Sequence, residues 1–455
     1  MKLFSNPYYA ILIVVFTAII IDLSFQNWSK RHRVIEHDVH SYYYYLPAFF
    51  IYDDLKVEKD DYYLVEDKFY YFWNQPDENG NKVAKMTCGL SILYSPFFFI
   101  AHAIALVFNL EASGFSEVYK ILLLISSIFY LLIGLIVTTK ILKLLRFSSI
   151  TIFISILLLG LGTNLLAYSS QSAVNSHVYS FCLFTGFIYN TIVWFKKPNL
   201  YRTILLGLLF GLITLIRPSN GLIVLFFIFY EISSFSEIKH RFLFFIRHFG
   251  KIIAIVGLTF VVWMPQFWYW NMISGNWIYY SYRNEGFYFS DPKIIEGLFS
   301  FRKGWLVYTP MMVFAIFGLF FLPENIKKLK WSILIFTIIN IYVVFSWWCW
   351  WYGGTYGQRV MIESYALLII PLAAFVKWVM DNKIIVKSLF FIICIFFIWL
   401  NIFQTYQFEY KALHYDSMSK KLYFKQFGKL TPIPDSDKDI DWVDYDKAKF
   451  SKRKL

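Results

Sequence analysis

The stretch Leu90-Ser-Ile-Leu-Tyr-Ser-Pro-Phe-Phe-Phe-Ile-Ala-His-Ala-Ile-Ala-Leu-Val-Phe-Asn-Leu110 is apolar over a length that can cross a bilayer, yet Pro96, His102 and Asn109 interrupt it. Whether it spans the membrane or lies in the interface decides the topology of everything before it. In the interface, it leaves eleven spans, an inside start, and the segment Glu36 to Leu46 outside. As a span, it makes twelve, and that segment becomes cytoplasmic. Charge beside the first apolar run favours twelve, since Lys30, Arg31 and Arg33 outweigh Lys2. The interruptions, and the net acidity of the loop that precedes the stretch, favour eleven.

The class of protein does not depend on that choice. Of 455 residues, 58% are hydrophobic, 22% aromatic and 16% charged, which is more apolar surface than one soluble core needs. An all-α polytopic membrane protein is expected. The formal charge of +13 would suggest a nucleic-acid partner in a soluble chain, but here Lys and Arg sit in short clusters between apolar runs, where they orient spans. Nucleic acid is therefore discounted. Cys88, Cys182, Cys349 and Cys394 show no paired spacing, so neither a disulfide framework nor a zinc site is indicated. The run Tyr8 to Phe25 is long for a signal-peptide core and has no small-residue cleavage site after it, so it reads as a retained first span with Asp22 near its outer end.

Further apolar runs fall at about 118–139, 150–167, 178–195, 203–216, 219–234, 251–264, 306–322, 331–346, 361–379 and 387–404. The connections alternate in charge. One set carries Lys140, Lys143 and Arg146; Lys196, Lys197 and Arg202; Lys239, Arg241, Arg247 and Lys251; Lys327, Lys328 and Lys330; Lys377, Lys383 and Lys387. These predict the cytoplasmic side. The other set, including 265–305 and 346–359, is poorer in basic residues and rich in Trp and Tyr, and predicts the outside. Between Arg202 and Lys239 the parity demands two short spans, with Arg217 and Pro218 at an outer turn.

The segment Glu36-His-Asp-Val-His-Ser-Tyr-Tyr-Tyr-Tyr-Leu46 follows the first run by about ten residues. At its centre is Asp38, an acid just outside a span that can take a proton from a sugar or lipid hydroxyl. The plainer reading is a solvated charge beside an interfacial aromatic belt. His37, Asp38 and His40 have no partner spacing that supplies further metal ligands, so a divalent metal is not indicated.

Several blocks resemble the GT-C superfamily of integral membrane glycosyltransferases, near the protein O-mannosyltransferases and aminoarabinose transferases. They are Asp38-Val-His-Ser-Tyr-Tyr-Tyr-Tyr-Leu-Pro-Ala, Gly89 to Pro96, Gly162-Thr-Asn, Arg217-Pro-Ser-Asn, Gly286-Phe through Phe299-Ser-Phe-Arg-Lys-Gly to Pro310, and Tyr352-Gly-Gly-Thr-Tyr-Gly-Gln-Arg359. The resemblance implies a GT-C-like fold of about eleven transmembrane helices, with a long first external loop (26–117) carrying interfacial helices. It implies a sugar donor on a polyprenyl phosphate, a lipid, glycan or protein acceptor, and an outward-facing site in a bacterial inner membrane. It gives Asp38 the role of catalytic base in an inverting displacement. Glu36 is a rival base, because this sequence departs from the more usual Asp-Glu or isolated Asp.

Displacing a phosphate builds negative charge on it, so fixed cations belong nearby. Arg217 and Arg359 are the first candidates, each at an outer turn beside Pro or Gly. Arg217 also reads as a snorkelling residue. Lys85 is a third cation, or an ordinary exposed lysine. His177, Tyr42 and Gln358 are candidates for substrate hydrogen bonds, and Arg302 and Lys303 either flank the lipid phosphate or anchor a span end. The run Trp347, Trp348, Trp350, Trp351 and Tyr352 reads as an interfacial belt or a stacking surface for sugar or isoprenoid. Residues 1–404 form the catalytic domain on this reading, and 405–455 a polar external tail that docks or is partly disordered. A lipid-linked glycan flippase, which would carry ionisable groups within its spans, and an outer-face polymerase or ligase are the alternatives.

Overall fold

The computed structural model describes residues 6–31, 33–58 and 80–450; Asp60, Asp61 and Asp67 of the expected first loop and the basic end Ser451 to Leu455 lie outside these. The described residues fold as helices, with one isolated bridge between Phe287 and Trp347. In chain order the first are α1 (Tyr8–Phe25), α2 (His37–Tyr43), α3 (Tyr45–Phe50), α4 (Gly89–Val107), α5 (Glu117–Leu144), α6 (Ser149–Leu161), α7 (Leu165–Ser169), α8 (Ser176–Lys196) and α9 (Leu200–Ile216). After a 3-10 turn at Pro218–Ile223 come α10 (Val224–Ile228), α11 (Phe235–Arg247), α12 (Phe249–Ser274), α13 (Ile294–Phe299), α14 (Trp305–Tyr308) and α15 (Met312–Gly318). The chain ends with α16 (Leu329–Ser346), α17 (Tyr365–Met380), α18 (Ile384–Glu409), α19 (Lys420–Gln426) and α20 (Tyr445–Phe450).

By length and composition, α1, α4, α5, α8, α12, α16 and α18 can each cross a membrane; α6, α9, α17 and residues 218–228 are shorter apolar helices. Local signals place several ends. Ser148 and Asn199 accept from Thr151 and Arg202 backbone N–H groups as N-caps of α6 and α9, and Gly275, at φ 73°, closes α12. The run 306–322 does not form one helix. It breaks between α14 and α15, at Pro310, which has no N–H to continue the ladder. The run 251–264 extends instead to the 26 residues of α12.

Close helix contacts rest on missing side chains. Gly207 and Gly211, one turn apart on α9, face α12, where an added Cβ would lie 2.7 Å from the Cβ of Leu258 and of Val262 respectively. That spacing lets two backbones approach where lipid supplies no hydrophobic drive between helices. Gly318 at the end of α15 leaves no room at all: a Cβ there would fall 1.8 Å from the Pro371 carbonyl oxygen.

The helices have two chemically different ends. At one, Lys143 lies over the Tyr8 ring, Lys251 donates to the Pro198 carbonyl at 2.9 Å, Glu237 pairs with Lys328 at 2.7 Å, and Asn325 donates to the Leu145 carbonyl. Basic clusters far apart in sequence thus gather together. At the other end, α1, α6, α9, α12, α16 and α18 finish while α5, α8 and α17 begin. Contacts such as Tyr43 to the Gly114 carbonyl (2.6 Å), Lys85 to Glu285 (2.6 Å) and Asn164 to the Gln358 carbonyl (3.2 Å) bind this layer.

The helix α4 packs along the first half of α5, from that second layer to the level of Tyr130. Gly89 touches Ile216 at the end of α9, Tyr130 donates to the Leu93 carbonyl, and His102 meets Tyr119 in the first turn of α5 at 2.6 Å. It therefore runs antiparallel to the first half of α5 and never reaches the basic end. The tail docks on the same layer, through Arg302 with Asp441 (2.7 Å), Tyr288 with the Lys449 carbonyl (2.6 Å) and the Thr355 N–H with the Tyr415 carbonyl (3.0 Å).

Candidate active site

α2 is too short to persist alone and is fixed by burial of Val39, His40, Ser41, Tyr42 and Tyr43, with Leu46 of α3 continuing the apolar side. That leaves Asp38 on its flank. Asp38 Oδ2 accepts from the Arg359 guanidinium at 2.8 Å, with the two side chains 20% and 15% exposed. Burial raises the Asp38 pKa, but the charges of Arg359, Arg217 and Lys85 outweigh it, and the carboxyl is held below its ordinary value. Three cations thus converge on one acid.

Each cation is delivered by a backbone device. Arg359 opens the 3-10 turn Arg359–Met361 after a segment with Tyr352, Gly353 and Gly357 at φ 57°, 70° and 56°. Arg217 ends α9 in an extended conformation because Pro218 follows it. Its Nη1 lies 4.0 Å from Glu363 Oε1, an oxygen that also meets His177 Nδ1 at 2.9 Å. Lys85 reaches in just before α4, pairs with Glu285, and lies 5.1 Å from the centre of the Tyr282 ring.

Aromatic residues enclose the ion cluster. Tyr282 and Tyr352 feel the Arg217 charge, Tyr168 feels Arg359 and Asp38, and Tyr42 feels Arg217 and Asp38. Three buried polar atoms on or beside the cluster have no well-formed hydrogen bond among the described residues: Arg359 Nε, Glu363 Oε2 and, on the neighbouring residue, Gln358 Oε1; the Tyr42 hydroxyl meets Ser176 and Arg217. Buried polar atoms are normally satisfied, so this concentration marks a place where a polar ligand would supply partners. Among the described residues, no three His, Cys, Asp or Glu side chains are placed to hold a metal.

The structure brings together Asp38, Arg217, Arg359, Lys85, His177 and Tyr42; Gln358 adjoins Arg359 in sequence, and its side-chain amide donates to the Trp350 carbonyl at 2.9 Å. The structure separates the rest. Glu36 pairs with Arg33 at 3.8 Å and acts on Lys120. Arg302 is taken up by Asp441 of the tail. Lys303 is buried behind Arg359 and donates to the Thr355 carbonyl; burial first, with Arg359 and Arg302 adding and Asp416 opposing, brings its pKa down to about 7. Only part of the Trp run is covered, Trp347 and Trp350 being half-buried. Trp348 and Trp351 are buried under Val443, Tyr445 and Ala448 of the tail, which covers them from water.

Glu363, Glu285, Tyr282 and Tyr168 join the site without having been singled out from sequence. Glu363 carried the one available signal, an acid four residues after Arg359 within an apolar run. No protein-family model matches the chain, and no curated protein matches it.

Proposed function

We propose that this protein is a GT-C-like membrane glycosyltransferase. It moves a sugar from a polyprenyl-phosphate donor to an acceptor hydroxyl at the outer face, with inversion and with Asp38 as base. The observation that carries the reading is the Asp38 carboxylate, paired with Arg359 and held below its ordinary pKa by Arg359, Arg217 and Lys85, at the end of the bundle opposite the basic clusters. By the positive-inside rule the basic end is cytoplasmic, so the ion cluster faces outward. On this reading α4, which packs along only the first half of α5, does not cross, and the crossings number eleven: α1, α5, the α6–α7 run, α8, α9, the 218–228 run, α12, the α14–α15 run, α16, α17 and α18.

The chemistry follows from the residues. The Asp38 carboxylate takes the acceptor O–H proton as that oxygen bonds to the anomeric carbon. The bond from that carbon to the phosphate oxygen breaks, and the leaving phosphate gathers charge beside Arg359, Arg217 and Lys85. Until donor arrives, Asp38 serves as counter-ion to Arg359. An anionic donor competes for that guanidinium and frees the carboxylate to act. Tyr42, Tyr168, Tyr282 and Tyr352 wall the space against water, as an oxocarbenium-like centre requires.

A lipid-linked sugar flippase is the second reading, favoured by the buried His177–Glu363 pair at the mouth of α8 and α17. One experiment separates them. Purified protein is given a labelled prenyl-phosphate sugar and acceptor, and compared with Asp38→Asn. Single-sugar transfer that the variant loses supports the transferase; no transfer by the unaltered protein with any prenyl-phosphate donor, alongside lipid-linked sugar movement in vesicles, replaces it with the flippase.

A further inference from the structure

The opposite end of the molecule holds a second cluster of cations, around α11. This helix has no buried residue. One side rests on the bundle through Arg241, which lies 3.9 Å from the centre of the Phe195 ring, and through Phe244, packed on Trp194. On the adjoining face, Phe235, Ile238, Phe242, Ile246 and Phe249 recur at helical spacing and stay exposed, from 43% for Ile238 to 92% for Phe235. That stripe continues onto Ile253, Val256 and Phe260 of α12, also exposed, on a helix long and apolar enough to cross a membrane.

Where α11 turns into α12, a cleft of about 310 Å³ opens between that junction and the first turn of α9, lined by Arg247, His248, Gly250, Lys251 and Thr203. Its charge is one-sided. Burial, then the charges of Lys251 and Arg247, hold the His248 imidazole below its ordinary pKa. Glu237, the acid on α11, is engaged by Lys328. Lys251 also holds the Pro198 carbonyl, which keeps the exposed Lys196 and Lys197 beside the cleft.

We propose that this cleft and stripe form a binding site for an anionic phospholipid. α11 lies in the headgroup plane, its apolar stripe meets the acyl chains, and the phosphate sits between Arg247 and Lys251. Charge complementarity selects the headgroup: two cations and no facing carboxylate suit a lipid with net negative charge and give little to a zwitterionic one, whose ammonium they repel. Continuity of the stripe with the lipid-facing side of α12 selects a lipid over a free ion. This site is independent of the transferase reading.

The test uses the full-length protein, delipidated in neutral detergent and titrated with phosphatidylglycerol, phosphatidylcholine or inorganic phosphate under native mass spectrometry. Phosphatidylglycerol is retained in preference to phosphatidylcholine, and Arg247→Gln and Lys251→Gln each weaken it about fivefold. Lys330→Gln, on the same end but outside the cleft, leaves retention unchanged. Arg247 makes no hydrogen bond or ion pair among the described residues, so Arg247→Gln tests the cleft even if Lys251→Gln unfolds on losing its hold on Pro198. Equal retention of the two lipids, or unaltered phosphatidylglycerol binding by Arg247→Gln, overturns the proposal. So does inorganic phosphate binding as tightly as the lipid, which would make the cleft a site for the free ion.

Discussion

Replacing Asp38 by Asn keeps its size and one acceptor for Arg359 while deleting the charge that pairs with that guanidinium. Two effects with opposite signs follow. Breaking a fully buried ion pair costs about 3–5 kcal/mol, and breaking an exposed one about 0–1 kcal/mol. With side chains 20% and 15% exposed and a hydrogen bond retained, the cost here is about 2 kcal/mol, intermediate between those limits. Transfer falls by about 10²–10⁴-fold, the range expected for loss of a general base. Affinity for a prenyl phosphate nevertheless rises, by about tenfold if 1.4 kcal/mol of competition for Arg359 is removed. The assay is single-turnover transfer with the variant, beside calorimetric titration with prenyl phosphate and thermal unfolding with and without it. Ligand should restore much of the lost stability, because phosphate replaces the missing charge. Undiminished transfer would refute the base, and weaker phosphate binding in the variant would refute the phosphate site.

Other expectations rest on separate observations. The Asp38 carboxyl lies below its ordinary range, so kcat/KM should hold as pH falls through that range and drop only below it; Arg359→Gln removes the largest lowering charge and moves this acid limb to higher pH. Glu36→Gln leaves transfer within about twofold, as its partner is Arg33 at a half-exposed site, and a large loss would restore it as rival base. Gly318→Ala drives a Cβ into the Pro371 carbonyl and should cost about 3 kcal/mol in thermal unfolding, with overpacking as the cause. In a background lacking Cys88, Cys182, Cys349 and Cys394, His37→Cys should react with a membrane-impermeant thiol reagent on intact cells and Lys328→Cys only after lysis; the reverse pattern removes the outward site.

Much of the ion cluster was legible because charge is rare in such a chain. Asp38, Lys85, Arg217 and Arg359 all lie just outside apolar runs; the alternation of basic loops assigned Arg217 and Arg359 to one end, while the side of Asp38 and Lys85 hung on Leu90–Leu110 and was taken from the GT-C resemblance. Topology beyond parity was less legible. The interruptions of Leu90–Leu110 argued for the interface, but only its contacts with Tyr130 and Tyr119 show that it lies beside the first half of α5. Glu363 was hidden by hydropathy averaging, which dilutes one acid in a run of apolar neighbours. The Trp residues at 347–351 have the composition of an interfacial belt, and nothing local to them announces that residues 443–448 return to cover Trp348 and Trp351. The partner of Arg302 was hidden for the same reason, since Asp441 lies 139 residues away.

The Asp38–Arg359 pair also bears on how a cycle would end. On the transferase reading, the donor is a phosphodiester with one negative charge, whereas the departing prenyl phosphate is a monoester carrying about −2. At that moment Asp38 holds the acceptor's proton and is neutral, so the cations grip the product more firmly than they gripped the donor. Loss of that proton to water regenerates the carboxylate, which reclaims Arg359 and loosens the phosphate. The acid that starts the reaction would thereby also help to eject its by-product.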